Sequence, residues 1–123
     1  MNNRLYIVIN QDLEMSPGKI GAHCAHAAFD YLYNSMLDAN RQDHTISLAN
    51  FLDMPQSFKE FGDTIVTLRA HEKDLLKWEA EGYTAVRDRG LTEIEPDSIT
   101  AVCLGIYDKD VGIPKWIQRL RLL

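Results

Sequence analysis

The segment LYIVINQDLEMSPGK, residues 5–19, gives the clearest indication of the fold in this sequence. Leu5 to Ile9 is a short apolar run rich in β-branched residues, typical of a strand that is buried on both faces of a sheet. Ser16 and Pro17 form a helix start, with Ser as the N-cap and Pro at the first helical position. The segment therefore predicts a buried strand followed closely by a helix.

The predicted helix runs from about Lys19 to Leu37. Apolar residues recur along it at helical spacing and are expected to face the core: Ile20, Cys24, Ala27, Ala28, Tyr31 and Leu32. A second set recurs at spacings of four, three and four residues, which predicts a polar stripe beside the apolar one: Lys19, His23, His26 and Asp30. The helix is therefore expected to present its ionisable groups on one line.

The rest of the chain alternates between strand and helix patterns. Further strands are predicted at Thr64–Leu68, Tyr83–Val86 and Ile99–Tyr107. Further helices are predicted at His71–Glu81 and Ile113–Gln118, with shorter ones at Thr45–Asp53 and Gln56–Phe61. This alternation favours an α/β fold with helices on both faces of the sheet. Because the connection between the last two long strands is short and lacks a helix pattern, we expect a mixed sheet.

Length and composition indicate one cytoplasmic domain that spans residues 1–123. No apolar run approaches the roughly 20 residues of a membrane span, and the N-terminus shows no signal-peptide pattern. Cys24 and Cys103 are expected to be free thiols in a reducing compartment. The formal charge of −5 argues mildly against a dedicated nucleic-acid binder.

Lys19 stands in the first turn of the long helix, where a cation is slightly unfavourable for the helix itself. Main-chain N–H groups at a helix N-terminus bind anions, and an ammonium group there would strengthen such a site. An exposed lysine with no function explains the position equally well from this pattern alone.

His23 and His26 lie one turn apart on the same helix. A zinc site is a weak interpretation, since helical His pairs that bind zinc usually lie four residues apart and no third ligand follows at suitable spacing. His23 is one turn from Lys19, and a neighbouring ammonium favours the neutral imidazole that a general base requires.

Asp88 ends a predicted strand and enters a glycine-containing loop, a position where α/β sheets often carry functional groups. Thr92 and Thr100 supply hydroxyls nearby in the sequence. The alternative is a turn aspartate that pairs with Arg87 or Arg89.

Two ordered blocks resemble the peptidyl-tRNA hydrolase 2 family of archaea and eukaryotes. Residues 12–28, DLEMSPGKIGAHCAHAA, are similar to the family pattern D-L-x-M-x-x-G-K-x-A-x-Q-x-A-H-A-A. Residues 87–96, RDRGLTEIEP, followed by SITAV at 98–102, are similar to its second pattern, x-D-x-G-L-T-x-I-x-P-x-x-x-T-x-x. The resemblance extends over nearly the whole chain, although the middle third matches in pattern only.

The resemblance implies a three-layer α/β/α fold with a four-stranded mixed sheet, and often a homodimer. It also implies an enzyme that hydrolyses the ester joining a peptide to the 3′ end of tRNA, with no cofactor and no metal. The family's site groups map to Lys19, Asp88, Thr92 and Thr100, and we add His23 as a fifth catalytic candidate. The basic residues Lys19, Arg87 and Arg89 are the predicted tRNA contacts.

The chain departs from the family pattern at four places. His23 stands where the family usually has Gln, and Asp63 and Thr64 stand where it usually has lysines. Asp97 replaces a glycine, and Ile106 with Tyr107 replaces a proline-containing segment. These changes keep two alternatives open: a non-catalytic binding or adaptor module, and a hydrolase of another acyl substrate.

Overall fold

The fold is given by a computed structural model that describes residues 3–39, 64–89 and 94–123. Its strands are β1 (Asn3–Asn10), β2 (Ile65–Ala70), β3 (Thr84–Arg87), β4 (Ile99–Asp108) and β5 (Arg121–Leu122). Its helices are α1 (Pro17–Ala39), α2 (Glu72–Ala80) and α3 (Lys115–Gln118). The short helices predicted between residues 45 and 61 lie outside the described residues. Among the described residues, no helix combines the length and apolar character needed to cross a bilayer.

The strands form one mixed sheet in the order β3-β4-β1-β2-β5. β1 is parallel to β2, whereas β4 is antiparallel to both β1 and β3. The predicted α/β class and mixed sheet are thus confirmed. The expected count of four strands is wrong, because Leu122 and Arg121 pair with Leu68 and Arg69 of β2 as a fifth strand. Two residues carry no periodicity, so sequence patterns do not reveal such a strand.

Both faces of the sheet carry apolar clusters, and β1 divides its side chains between them. Leu5, Ile7 and Ile9 pack with Ala27 and with further apolar residues of α1. The alternate residues of β1 join a cluster with α2 and α3: Tyr6, Val8, Leu75, Trp78 and Ile117. Side chains of a strand alternate between faces, which is why a continuous apolar run such as residues 5–9 is buried on both.

The register of β4 shifts once against β1 and once against β3, and the shift against β3 occurs at Thr100. Val86 pairs with Ala101 and Arg87 pairs with Ile99, so Thr100 is an extra residue opposite β3. Such a bulge turns two consecutive side chains toward the same face. Ala101 packs in the α1 cluster, and Thr100 also contacts α1. Without the bulge, the two side chains would point to opposite faces.

Three segments that matter for chemistry meet at one end of the sheet. β1 and β3 both end there, since each is antiparallel to β4, and β4 begins there with Ile99. Helix α1 starts at the same end, and the Ser16 hydroxyl accepts a 3.3 Å hydrogen bond from the main-chain N–H of Lys19. The predicted helix start, with Ser16 as N-cap and Pro17 as first helical residue, is confirmed.

Candidate active site

Lys19 and Asp88 form an ion pair at this end of the sheet. The Lys19 Nζ atom lies 2.7 Å from Asp88 Oδ1, and the two side chains are only 10% and 5% exposed. Pro17 has no N–H, and the N–H of Lys19 donates to the Ser16 hydroxyl. Of the first three residues of α1, two therefore have no main-chain N–H available to an anion. The positive charge at this helix start is therefore carried chiefly by the Lys19 side chain.

His23 lies one turn along α1, beside the same carboxylate. Its Nε2 atom is 3.6 Å from Asp88 Oδ1, which is too long for a hydrogen bond. Its Nδ1 atom is 2.7 Å from the Thr100 hydroxyl oxygen, and that contact is buried. The Thr100 hydroxyl also donates to the Val86 carbonyl at 3.2 Å. Thr100, His23, Asp88 and Lys19 thus lie in a row, with hydrogen bonds between Thr100 and His23 and between Asp88 and Lys19.

The surroundings of His23 favour the neutral imidazole. Burial lowers the pKa of His23 below its ordinary value of 6.5, and the positive charge of Lys19 and the ring of His26 act in the same direction. Asp88 opposes them by raising that pKa, but the net direction is downward. An uncharged imidazole beside an ammonium–carboxylate pair can accept a proton at neutral pH.

A cleft of about 370 Å³ opens between α1 and β3, and Lys19, His23 and Asp88 of this row line it. The polar stripe predicted on α1 forms one wall of it: Lys19, His23, His26 and Asp30. The opposite wall consists of residues 85–89 of β3 and its C-terminal extension. The helical spacing of the stripe therefore predicted correctly which side chains of α1 share a surface.

The two arginines that flank Asp88 occupy different environments. The Arg87 guanidinium donates to both carboxylate oxygens of Glu79, at 3.0 and 2.6 Å, and to the Asp97 carbonyl at 2.7 Å. Arg89 is exposed and lines the cleft. Thr92 lies outside the described residues. Both arginines remain predicted tRNA contacts, and the guanidinium of Arg87 is already bonded within the protein.

Two polar residues, one at the last position of β1 and one just after it, organise this end of the sheet. The sequence patterns did not single them out. The buried Asn10 side chain donates to the Ile99 carbonyl at 2.9 Å and accepts the Asp12 N–H at 2.9 Å. Asp12 Oδ2 accepts the N–H of Glu72 at 2.8 Å, at the start of α2. This N–H and, next, a hydrogen bond with His71 lower the pKa of Asp12. An Asn at the end of a strand followed two residues later by an Asp is the signal that could have revealed this role.

The described part of the chain contains no group of three or more His, Cys, Asp or Glu side chains arranged to hold a metal ion. Cys24 and Cys103 are free thiols, the first half-buried and the second buried. Burial raises the pKa of the Cys103 thiol to about 12, so it is not a thiolate at neutral pH.

The fold and this row of groups define an α/β protein whose cleft holds a buried lysine–carboxylate pair beside a histidine. A family model described as peptidyl-tRNA hydrolase PTH2 matches residues 3–123, and the chain belongs to that family. It is 32% identical to the peptidyl-tRNA hydrolase of Methanocaldococcus jannaschii, covering 98% of this chain and 99% of that protein. It is 29% identical to the peptidyl-tRNA hydrolase of Thermoplasma acidophilum, with both chains covered completely. A mouse protein named peptidyl-tRNA hydrolase 2, mitochondrial, is 28% identical over 83% of this chain and 54% of its own length.

Proposed function

We propose that this chain hydrolyses the ester of peptidyl-tRNA in the cleft between α1 and β3, with Lys19, His23, Asp88 and Thr100 as the reacting and positioning groups. The observation that carries the proposal is the buried 2.7 Å pair of Lys19 and Asp88 beside His23, whose pKa is lowered by burial. Membership of the peptidyl-tRNA hydrolase family supports the substrate and the reaction. The products are a free peptide and a tRNA with a free 3′ end.

Ester hydrolysis needs a nucleophile, a proton acceptor and a group that stabilises negative charge on the carbonyl oxygen. Water is the nucleophile, and its oxygen forms a bond to the ester carbonyl carbon while a proton passes to His23 Nε2. The Lys19 ammonium donates to the carbonyl oxygen as charge develops there. The bond from carbon to the ribose oxygen then breaks, and that oxygen takes the proton from His23.

Thr100 and Asp88 orient the two groups that act on the substrate. When the Thr100 hydroxyl donates to Val86, it accepts from Nδ1–H of His23, which leaves the Nε2 lone pair to act as a base. The 3.6 Å separation of Nε2 from Asp88 Oδ1 supports this arrangement, since no proton is shared between the two atoms. Asp88 holds the Lys19 ammonium in place through their ion pair.

The acceptor end of tRNA enters at the Asp88 end of the cleft in this proposal. Arg89 and Lys19 contact its phosphates, and the Thr92 hydroxyl orients water or ribose. Arg87, whose guanidinium bonds Glu79 and the Asp97 carbonyl, adds positive charge near the phosphates. The net charge of −5 and the residues Asp63 and Thr64 leave fewer cations to neutralise phosphates. Because the dependence of binding on salt becomes flatter as fewer phosphates are neutralised, we expect a shallow salt slope.

We place the chain in the cytoplasm as one domain over residues 1–123, acting as a homodimer. The domain has three layers, with α1 on one face of the sheet and α2 and α3 on the other. The apolar clusters on the two faces support this layering.

A hydrolase of another acyl substrate is the second candidate, and His23 is the observation that favours it. The imidazole stands at the position of the usual glutamine and changes the hydrogen-bonding and titration properties of the cleft. The acidic net charge favours a third candidate, a non-catalytic binding module.

The test is cleavage of a purified peptidyl-tRNA by the wild-type chain and by Lys19→Ala across a salt series. Lys77→Ala is the matched control, because Lys77 is an exposed lysine of α2 outside the cleft. We expect Lys19→Ala to lower kcat/KM by at least about 100-fold, the scale of losing one oxyanion donor, and Lys77→Ala to match wild type. An unchanged rate for Lys19→Ala would show that the assignment is wrong, and no cleavage by folded wild type at any salt would favour the binding module.

A further inference from the structure

β3 is the outermost strand of the sheet on the side of the cleft. Within residues 3–39, 64–89 and 94–123, β3 pairs with β4 alone. The Asp88 N–H donates to the Ser98 carbonyl at 2.9 Å, and the Asp88 carbonyl accepts the Asp97 N–H at 2.7 Å. Main-chain groups of a strand alternate in direction from one residue to the next. Since the N–H and C=O of Asp88 both point toward the chain that leads into β4, those of Arg87 and Ala85 point to the opposite side, the outer edge of the sheet.

The side chains of Ala85 and Arg87 point away from the cleft. Ala85 packs against the cluster that contains Trp78 of α2, and Arg87 bonds Glu79 of α2. Both residues nevertheless line the cleft, which lies on the side of α1. The part of these two residues that faces the cleft is therefore their main chain, at the edge of the strand.

Helix α1 runs along this edge in the direction opposite to β3. Lys19, near the start of α1, bonds Asp88, just after the end of β3. Asn34, near the other end of α1, bonds the hydroxyl of Thr84 at the start of β3 at 3.3 Å. The cleft residues of α1 extend from Lys19 to Asp30, a distance of about 16 Å at 1.5 Å per helical residue. An extended peptide of about five residues spans the same length at 3.3 Å per residue.

We propose that the peptide moiety of peptidyl-tRNA binds in this groove as an added strand, hydrogen-bonded to the outer edge of β3 at Ala85 and Arg87. Its ester carbonyl then lies at Lys19 and Asp88, so the peptide runs parallel to β3, with its N-terminal part toward Thr84 and Asp30. Strand addition uses the main chain of the ligand, which suits a substrate whose peptide sequence varies. This inference rests on the proposed location of the ester at Lys19 and Asp88.

The test is a scan of peptidyl-tRNA substrates that carry the same pentapeptide, each N-methylated at one peptide nitrogen. Only alternate residues of an added strand direct their N–H toward the protein edge. We expect kcat/KM to fall about 3–10-fold, the scale of one lost hydrogen bond, at every second residue, with smaller effects at the residues between. Equal effects at all positions, or none beyond the esterified residue, would overturn the proposal.

A protein variant gives a second measurement. Ala85→Pro removes one outward N–H, and edge strands tolerate proline where the N–H faces away from the sheet. We expect Ala85→Pro to raise KM for the pentapeptidyl-tRNA about 3–10-fold, because one hydrogen bond to the peptide is lost. An unchanged KM in the folded variant would contradict the inference. If the variant does not fold, the N-methyl scan on the wild-type protein decides.

The two proposals fail in different ways. If wild type does not cleave the unmodified pentapeptidyl-tRNA, the proposed function itself is wrong. If it cleaves that substrate and Lys19→Ala does not, but the scan lacks a two-residue period, only the peptide-binding edge is wrong.

Discussion

The Thr100 hydroxyl lies 2.7 Å from Nδ1 of His23, and the two residues are 77 positions apart in the sequence. This contact joins the start of β4 to the second turn of α1. It fixes the orientation of the imidazole, because the ring cannot rotate without breaking a buried hydrogen bond. In the proposed reaction, the direction of the His23 lone pair therefore depends on Thr100.

Replacing Thr100 by valine keeps the shape of the side chain and removes the hydroxyl. Since the change leaves His23 Nδ1 without its partner, we expect the free energy of unfolding to fall by about 1–3 kcal/mol. We expect kcat/KM to fall by up to about 100-fold, the lower end of the range for a positioned proton acceptor. Thr100→Ser retains the hydroxyl and is the control for denaturant unfolding and for cleavage, so equal loss in both variants would argue against the hydrogen bond.

The pH dependence of cleavage tests the role of His23. Burial, and then the charge of Lys19, lower its pKa below 6.5, so the neutral base is lost only when the pH falls through that lowered value. We expect kcat/KM of wild type to decline on this acid side, and the same limb to disappear in His23→Gln, which does not titrate. An identical acid limb in both proteins would exclude His23 as the base.

The free energy of unfolding should also depend on the titration of His23, and it should fall as the pH falls. Because folding lowers the pKa of His23, the unfolded chain takes up the proton first as the pH falls below about 6.5, the ordinary value. The free energy of unfolding of wild type should therefore decrease over the interval from that value down to the folded pKa. His23→Gln should lack this part of the decrease in denaturant unfolding at matched pH values.

The Lys19–Asp88 pair allows stability and activity to be separated. Removing one partner leaves a charge buried, and we expect Lys19→Met or Asp88→Asn alone to cost about 3–5 kcal/mol of unfolding free energy. The double variant removes both charges, so much of this stability should return while cleavage stays lost. A double variant that is as unstable as the sum of the singles would show that the two charges act independently.

Arg87 and Arg89 should differ in what they affect. Arg89 is exposed at the cleft, so Arg89→Ala should weaken tRNA binding and reduce the slope of log K against log salt by about 0.7–0.9 for each phosphate that is no longer neutralised. Arg87→Ala should mainly lower the melting temperature, since Arg87 bonds Glu79 and the Asp97 carbonyl. Melting curves and tRNA binding at several salt concentrations measure both effects, and the reverse pattern would contradict these roles.

Asp97 has a left-handed backbone, with φ of 67°. Aspartate tolerates this conformation better than residues with apolar side chains do. We expect Asp97→Ala to reduce stability by about 1 kcal/mol and Asp97→Gly to leave it equal or higher. Denaturant unfolding of the two variants checks this, and equal stability of both would show that the backbone is not strained.

Local sequence patterns were sufficient to predict β1, the start of α1 and the side chains of α1 that line the cleft. The β-branched run at residues 5–9 predicts a doubly buried strand because side chains alternate between faces, and the cap at Ser16 predicts where α1 begins. Lys19, His23, His26 and Asp30 share a surface because residues three or four apart lie on one side of any helix. None of these conclusions depends on the partner that the element packs against.

Tertiary structure decided the features that join distant segments. β5 exists only because Arg121 and Leu122 meet β2, and Asn10 and Asp12 gained their roles from contacts with Ile99 and Glu72. The bulge that directs Thr100 toward His23 arises from the register between β3 and β4, which no local pattern encodes. The sequence by itself thus determined which polar side chains of α1 share one surface. Strand pairing determined which residues of β3 and β4 lie opposite them, because hydrogen-bond register is set by both strands together.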